Sequence, residues 1–231
     1  GPYLSGTSNK IELSILNKNG NYGLNIQQCA NDPAVVFLYA FIILAMVFMV
    51  IFYIIDFFKI DNYRTYLPLV LLLAFITYFI NFEEPQEVFW DENYHIASAE
   101  KYLHGVMFME PHPPLGKMMI ALGEVIVNPN KDIDRSYFLG TDYVKDFPPG
   151  YSFAGVRLAS TFFAVMSALL FFLILYNLAK KPLHAFFFTA LYLFENSIIV
   201  HNRSAMLEGT LLFFILCTIL YFTCVFQKKE V

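Results

Sequence analysis

Charged residues are scarce in this chain of 231 residues, since Asp, Glu, Lys and Arg make up 15% of it and hydrophobic residues 58%. A soluble domain is usually about a quarter charged, so the composition excludes an ordinary soluble fold, and its high apolar content excludes a disordered chain. Basic residues are outnumbered, with 15 Lys and Arg against 19 Asp and Glu. The resulting net charge of −4 excludes a general nucleic-acid-binding surface.

Cysteine is rare as well, and its three occurrences are Cys29, Cys217 and Cys224. An odd, scattered set forms no disulfide framework, and neither a CxxC pair nor any other metal-ligand spacing points to zinc. Cys217 and Cys224 lie in an apolar run, where we expect them to pack as small hydrophobic residues. The sequence therefore predicts no metal cofactor.

Apolar sequence is abundant, in runs close to the ~20 residues that cross a bilayer as a helix. The runs are 34–55, 66–82, 153–178, 183–200 and 207–226. A soluble chain of this size could not cover so many apolar helices. We therefore predict an all-α polytopic membrane protein with about five transmembrane helices, of which the shorter ones are tilted, kinked or partly re-entrant.

The distribution of Lys and Arg predicts the orientation, because short loops rich in these residues stay in the cytoplasm. The basic residues of 56–65, 177–182 and the C-terminus fall on one side if the helices alternate. We predict an extracytoplasmic tail at 1–33, a transmembrane hairpin at 34–82, an extracytoplasmic loop at 83–152 and three transmembrane helices at 153–231. The C-terminus is then cytoplasmic.

The loop 83–152 holds most of the polar residues. Asp91-Glu92 opens a predicted helix, and the simplest interpretation is that Asp91 caps this helix while Glu92 complements its dipole. A second helix follows Pro114 and is apolar nearly all round, which favours two short helices lying in the membrane interface. Residues 128–152 are expected to be an irregular surface loop with solvated charges. The polar cluster expected between the two helices comprises Asp91, Glu92, His95, Glu110, His112 and Lys117.

Three ionisable residues lie at the outer ends of predicted membrane helices, namely Arg157, Arg203 and Glu208. Such groups are costly in a membrane, so each is a functional candidate. The alternative is a snorkelling arginine, or an ion pair of Glu208 with Arg157 or Arg203. Because all three fall on the same face as the acidic pair, we expect a site for a phosphate-bearing lipid.

The order of these motifs resembles the N-terminal part of the protein O-mannosyltransferase family, in the GT-C class of polyprenyl-phosphate-sugar glycosyltransferases. The matching residues span about 80–220 and are Asp91-Glu92, Glu110 with His112-Pro113-Pro114-Leu115-Gly116-Lys117, Arg157 with Ser160, and Arg203 with Leu207-Glu208. The chain departs from the family pattern in having Glu at positions 110 and 208, where Asp is usual, and in the place of His95.

The resemblance implies inverting transfer of a hexose, expected to be mannose, from a polyprenyl or dolichyl phosphate to a protein Ser or Thr hydroxyl. Asp91 would be the general base, and Glu92 would orient a partner arginine or the sugar. Arg157, Lys117 and Arg203 would neutralise the leaving phosphate without a metal, and the supporting residues would be Glu110, His112 and Glu208. The site would face the periplasm or the endoplasmic reticulum lumen.

The alternatives are a related transferase that modifies a glycolipid such as lipid A, and a non-catalytic membrane scaffold or part of a transporter. The expected partners are the lipid-linked donor, a protein or glycolipid acceptor and membrane lipids, and a dimer is left open. Because the family continues through further membrane helices, we expect the chain by itself to be incomplete and inactive.

Overall fold

A computed structural model describes residues 62–229, with side chains through residue 226, and five isolated helical positions of the first apolar run. The described residues form seven α-helices and one short 3-10 helix, and no strand occurs among them. In chain order these are α1 (Tyr63–Phe79), α2 (Glu92–His104), α3 (Leu115–Val127), the 3-10 helix (Ser136–Gly140), α4 (Ala154–Ala179), α5 (Pro182–Leu193), α6 (Asn196–Arg203) and α7 (Glu208–Lys229). The all-α prediction is confirmed, whereas the tail 1–33 and, apart from those five positions, the run 34–55 lie outside the described residues.

Two helices of the described range are long and apolar enough to cross a membrane, α4 with 26 residues and the 19 residues of α7 from Glu208 to Phe226. Helices α5 and α6 together make a third candidate that is bent by 64° at their junction. The bend follows from the side chain of Glu195, which accepts a hydrogen bond from the Ile198 amide at 2.8 Å and so starts a new helix. This bent pair occupies the run 183–200, and α1, with 17 residues, is a shorter apolar helix.

Helix α4 is the centre of the fold and packs against α1, α3, α5, α6 and α7. Small buried residues on α4, among them Ser160, Ala164 and Ala168, allow this close packing. The tightest approach joins α3 to α4, where a Cβ added to Gly123 would lie 2.5 Å from the carbonyl oxygen of Gly155. The backbone of α3 therefore rests directly on the first turn of α4.

The segment 83–152 is a folded layer with its own apolar core rather than an open loop. Ile96 of α2, Ile120 of α3 and Phe138 of the 3-10 helix pack with Phe153 and Val156 at the start of α4. The expectation of an irregular loop at 128–152 with solvated charges is therefore wrong in part. Aromatic burial organises this segment, and its single arginine, Arg135, forms ion pairs with the buried carboxylates of Glu100 and Glu124.

Helix α3 has two unlike sides. Lys117, Ile120 and Glu124 are buried against the rest of the layer. The other side exposes a set of large apolar residues that includes Leu115, Met118, Leu122, Val125 and Ile126. A helix that lies in a membrane interface presents such a side to the lipid. The exposed apolar side of α3 is therefore compatible with a layer lying on the bilayer surface, and this placement stays a prediction.

Candidate functional site

The first residue of α2, Glu92, is fully buried and joins three parts of the chain. Its Oε1 accepts hydrogen bonds from Arg157 Nε at 2.8 Å and from the Ala205 amide at 2.6 Å. Its Oε2 accepts from Arg157 Nη2 at 2.9 Å and from the Phe89 amide at 2.6 Å. Both carboxylate oxygens therefore have two donors each, and Glu92 connects α2 with α4 and with the segment between α6 and α7.

The partner of Glu92 is Arg157, in the first turn of α4, which is 2% exposed. A guanidinium has five N–H donors, and all five are used within the chain. Two go to Glu92, two go from Nη1 to the carbonyl oxygens of Glu83 and Pro85 at 2.9 and 2.8 Å, and one goes from Nη2 to the carbonyl of Glu87 at 2.7 Å. Arg157 therefore fixes the turn that precedes the acidic pair, and it forms its ion pair with Glu92 rather than with Glu208.

Asp91, beside Glu92 in the sequence, has an opposite environment. It occupies the N-cap position of α2, with Glu92 in the first turn, so the predicted positions of both residues are confirmed. The Asp91 side chain makes no capping hydrogen bond, so the prediction that this side chain caps the helix is wrong. The Asp91 side chain is exposed and, within residues 62–226, has no hydrogen bond or ion pair. Trp90 precedes it in the left-handed region, with φ of 47°, and is 72% exposed. An exposed carboxylate without an internal partner is available to a ligand.

A second polar group forms where the His-Pro-Pro segment meets α2. The fully buried Lys117 Nζ donates to Glu110 Oε1 at 2.7 Å and lies 4.3 Å from the centre of the Tyr94 ring. Glu110 also accepts from the amide of His112 and from the Tyr102 hydroxyl, both at 3.1 Å. Burial raises the pKa of Glu110, but the hydrogen bonds from Lys117, His112 and Tyr102 outweigh it and the net pKa is lowered. Glu110 is therefore held as a carboxylate that neutralises Lys117.

His95 extends this group towards Asp91, which lies four residues earlier in the chain. The rings of Tyr94, His95 and His112 stand edge to face, with centroids 5.8 to 6.2 Å apart. Burial, the most important cause, and the charge of Lys117 lower the pKa of His95 to about 4, against the opposite effect of Asp91. The imidazole is therefore neutral near pH 7.

Arg203 and Glu208, which stand at the two ends of the connection between α6 and α7, form no ion pair with each other. Arg203 Nη2 donates to the carbonyl oxygens of Ile80, at 2.8 Å, and Asn81, in the turn after α1. Glu208, the first residue of α7, is exposed and makes no ion pair within the described part of the chain. The segment between them is fixed by Ser160, whose hydroxyl donates to the Met206 carbonyl at 3.0 Å. No group of three His, Cys, Asp or Glu residues that could hold a metal occurs in the residues the structure describes.

Sequence reasoning missed a buried charge cluster within the folded layer 83–152. Arg135 donates from Nη1 to Glu100 and also to Glu124, at 3.1 Å for the latter, and both glutamates are nearly inaccessible. Burial raises the pKa of both carboxyls, and Arg135 only partly opposes it. The sequence signal that could have revealed this cluster was one glutamate in each of the two helices, Glu100 in α2 and Glu124 in α3, at positions that the fold buries.

Comparison with known proteins shows which sequences this chain is similar to. The model of the family described as dolichyl-phosphate-mannose-protein mannosyltransferase matches residues 69–231. Dolichyl-phosphate-mannose–protein mannosyltransferase 1 of Candida albicans is 29% identical over 150 residues, which cover 65% of this chain and 16% of that protein.

Two further relatives give the same result. Dolichyl-phosphate-mannose–protein mannosyltransferase 4 of Schizosaccharomyces pombe is 27% identical, over 74% of this chain and 22% of that protein. Protein O-mannosyl-transferase 2 of Danio rerio is 29% identical, over 67% of this chain and 20% of that protein. The chain thus spans about a fifth of the length of the curated relatives it matches. No solved structure matches it.

Proposed function

The chain belongs to the dolichyl-phosphate-mannose-protein mannosyltransferase family, and from this premise we propose that it carries the general base of an inverting protein O-mannosyltransferase. The donor would be a polyprenyl or dolichyl phosphate mannose, and the acceptor a Ser or Thr hydroxyl of a protein. We place the reaction on the extracytoplasmic side of the membrane that α4 and α7 are apolar enough to cross.

The observation that carries this proposal is the contrast between the two residues of the acidic pair. Glu92 is buried with four donors on its carboxylate, whereas Asp91 is exposed and has no side-chain partner among the described residues. Asp91 can therefore take the proton of the acceptor hydroxyl as its oxygen attacks the anomeric carbon. The new C–O bond forms on the face opposite the departing phosphate, which inverts that carbon.

The hydrogen-bond partners of the three cations suggest different roles for them. Arg157 uses all its donors within the chain, and Lys117 is paired with Glu110, so both are suited to position the layer around Asp91. Arg203 contacts only carbonyl oxygens and has no carboxylate within ion-pair distance in the described range. Its charge is therefore the least neutralised of the three, and we assign to Arg203 the contact with the leaving phosphate. With a cation in that role, we expect transfer to need no metal ion.

The test is transfer of radiolabelled mannose from polyprenyl-phosphate mannose to a Ser/Thr peptide by the full-length protein in detergent. Removing a general base costs about 10²–10⁴-fold in rate, so Asp91→Asn should lower transfer by that factor. Asp132→Asn is the matched control, because Asp132 is also an exposed aspartate of the outer layer. Transfer by Asp91→Asn close to that of the control would refute the assignment. Absence of transfer by the wild type would favour a non-catalytic role.

A further inference from the structure

Trp90, the single tryptophan of the chain, immediately precedes Asp91 and is 72% exposed. Within residues 62–226 its indole N–H has no hydrogen bond, and its only aromatic contact is with the ring of Phe89, at 6.3 Å between the ring centroids. A tryptophan stabilises a fold mainly by burying its large ring. Because the Trp90 ring is left outside, the described part of the chain gains almost no stability from it.

The backbone of Trp90 is also in an unfavourable conformation. Its φ of 47° lies in the left-handed region, where a bulky side chain is an outlier and a glycine would be unstrained. Hydrogen bonds hold this turn in place, since the Glu92 amide donates to the Phe89 carbonyl at 3.0 Å and the Phe89 amide donates to Glu92 Oε2 at 2.6 Å. Strained residues that their surroundings hold in place cluster at functional sites. The position therefore has a tryptophan for a reason other than stability.

The neighbour of Trp90 indicates what its ring contacts. Consecutive Cα atoms are about 3.8 Å apart, so a molecule that hydrogen-bonds to the Asp91 carboxylate lies within the reach of a side chain as long as tryptophan. In the proposed reaction the acceptor hydroxyl makes that hydrogen bond, and the anomeric carbon lies about 3–3.5 Å from the hydroxyl oxygen. The mannosyl group therefore lies within reach of the Trp90 ring.

The charges around Trp90 favour the sugar over the other groups at that place. Three exposed carboxylates, those of Glu84, Glu87 and Asp91, flank Trp90 in the sequence, and the face of an aromatic ring is itself negative. Such a surface repels the lipid phosphate and attracts the positive charge that develops on the sugar in an oxocarbenium-like transition state. Among aromatic side chains, tryptophan attracts a cation best. We propose that Trp90 contacts the mannosyl group and stabilises this charge, which rests on the proposed mannosyl transfer.

The kinetic test compares mannosyl transfer by the full-length protein with transfer by variants at position 90. The energy of a cation–π contact corresponds to about 2–30-fold in rate, so Trp90→Leu should lower kcat about tenfold, less than Asp91→Asn does. The KM for the donor should change by less than about threefold, because the positive charge develops only in the transition state. Trp90→Phe should keep most of kcat, since it keeps an aromatic ring. Tyr143→Leu is the control, because it removes another exposed aromatic ring of the layer 83–152.

Trp90→Gly separates a role in the reaction from a role in the fold. Glycine relieves the strained backbone, so this variant should unfold at a denaturant concentration equal to or above that of the wild type. Its kcat should nevertheless fall at least as far as that of Trp90→Leu. A fall in both stability and kcat would assign Trp90 to the fold and overturn the inference. A kcat of Trp90→Leu equal to that of Tyr143→Leu would overturn it as well.

A fluorescence titration tests the contact with the sugar without the reaction. The signal of Trp90 is the difference between the emission of the wild type and that of Trp90→Phe. Polyprenyl-phosphate mannose should shift this signal saturably, whereas the same polyprenyl phosphate without mannose should leave it unchanged. An equal response to both lipids, or strong quenching of Trp90 by brominated phospholipids in nanodiscs, would assign the ring to lipid contact and refute the inference. A response to the mannosyl lipid alone, by a wild type that transfers no mannose, would support the sugar contact and contradict only the proposed function.

Discussion

Replacing Glu92 with Gln should strongly destabilise the protein, although the two side chains have the same shape. Each carboxylate oxygen faces two donors, Arg157 Nε and the Ala205 amide on Oε1, and Arg157 Nη2 and the Phe89 amide on Oε2. The Gln amide nitrogen must therefore oppose two donors in either orientation. Removing one partner of a buried ion pair costs about 3–5 kcal/mol, and we expect a loss in that range.

The assay is equilibrium unfolding in mild detergent, arranged as a double-mutant cycle of Glu92→Gln and Arg157→Met. Because the two side chains contact each other, the loss of unfolding free energy in the double variant should be about 1–3 kcal/mol smaller than the sum of the losses in the two single variants. Glu87→Gln is the control, since the Glu87 side chain is exposed and only its carbonyl contacts Arg157. A loss for Glu92→Gln below about 1 kcal/mol, or additive single losses, would refute the view that Glu92 joins the three segments.

Three further changes follow from the outer layer. The pKa of His95 is lowered to about 4 in the folded protein, against about 6.5 for an ordinary histidine. Between these two pH values the unfolded chain binds more protons than the folded one, so stability should fall as the pH drops from about 6.5 to about 4. His95→Asn should flatten that fall in a pH series of thermal melts. The pKa of Glu124 is raised, so stability is lost as the pH rises through that pKa, and Glu124→Gln should be more stable relative to wild type at pH 8 than at pH 5. In Gly123→Ala the new Cβ would lie 2.5 Å from the Gly155 carbonyl oxygen, so denaturant unfolding should show a loss of about 1–3 kcal/mol, whereas Gly140→Ala, with open space around it, should be nearly neutral.

The membrane helices could be predicted because they depend on local composition. Uninterrupted apolar sequence gives α4 and α7 directly. The run 183–200 looked nearly continuous, but Glu195 interrupts it by accepting a backbone hydrogen bond, which bends the pair by 64°. A single carboxylate can break an apolar run in this way because its affinity for free amides at a helix start outweighs the average hydrophobicity of its neighbours.

The outer layer was predicted less well because its order depends on contacts between distant residues. Phe138, Tyr151 and Phe153 show no helical or strand periodicity, yet they pack into one core with α2 and α3. Arg135 was expected to be solvated, and only the fold brings it to Glu100 and Glu124. The pairing of Arg157 with Glu92 spans 65 residues. The sequence indicated that Arg157 needs a partner but left Glu92 as one of several.

The acidic pair shows why two adjacent carboxylates are used when one base is enough for the proposed reaction. A base works best when its position is fixed while its own oxygens stay free of protein donors. One side chain cannot meet both conditions, because hydrogen bonds that fix a carboxylate also occupy it. Here Glu92 accepts the fixing bonds from three segments, and its neighbour Asp91 is held through the backbone, where its carbonyl accepts from the Tyr94 and His95 amides at 3.0 Å. A mutation at either position should therefore abolish transfer, but for different reasons. Loss of Asp91 should remove the reaction and keep the fold, whereas loss of Glu92 should disrupt the structure.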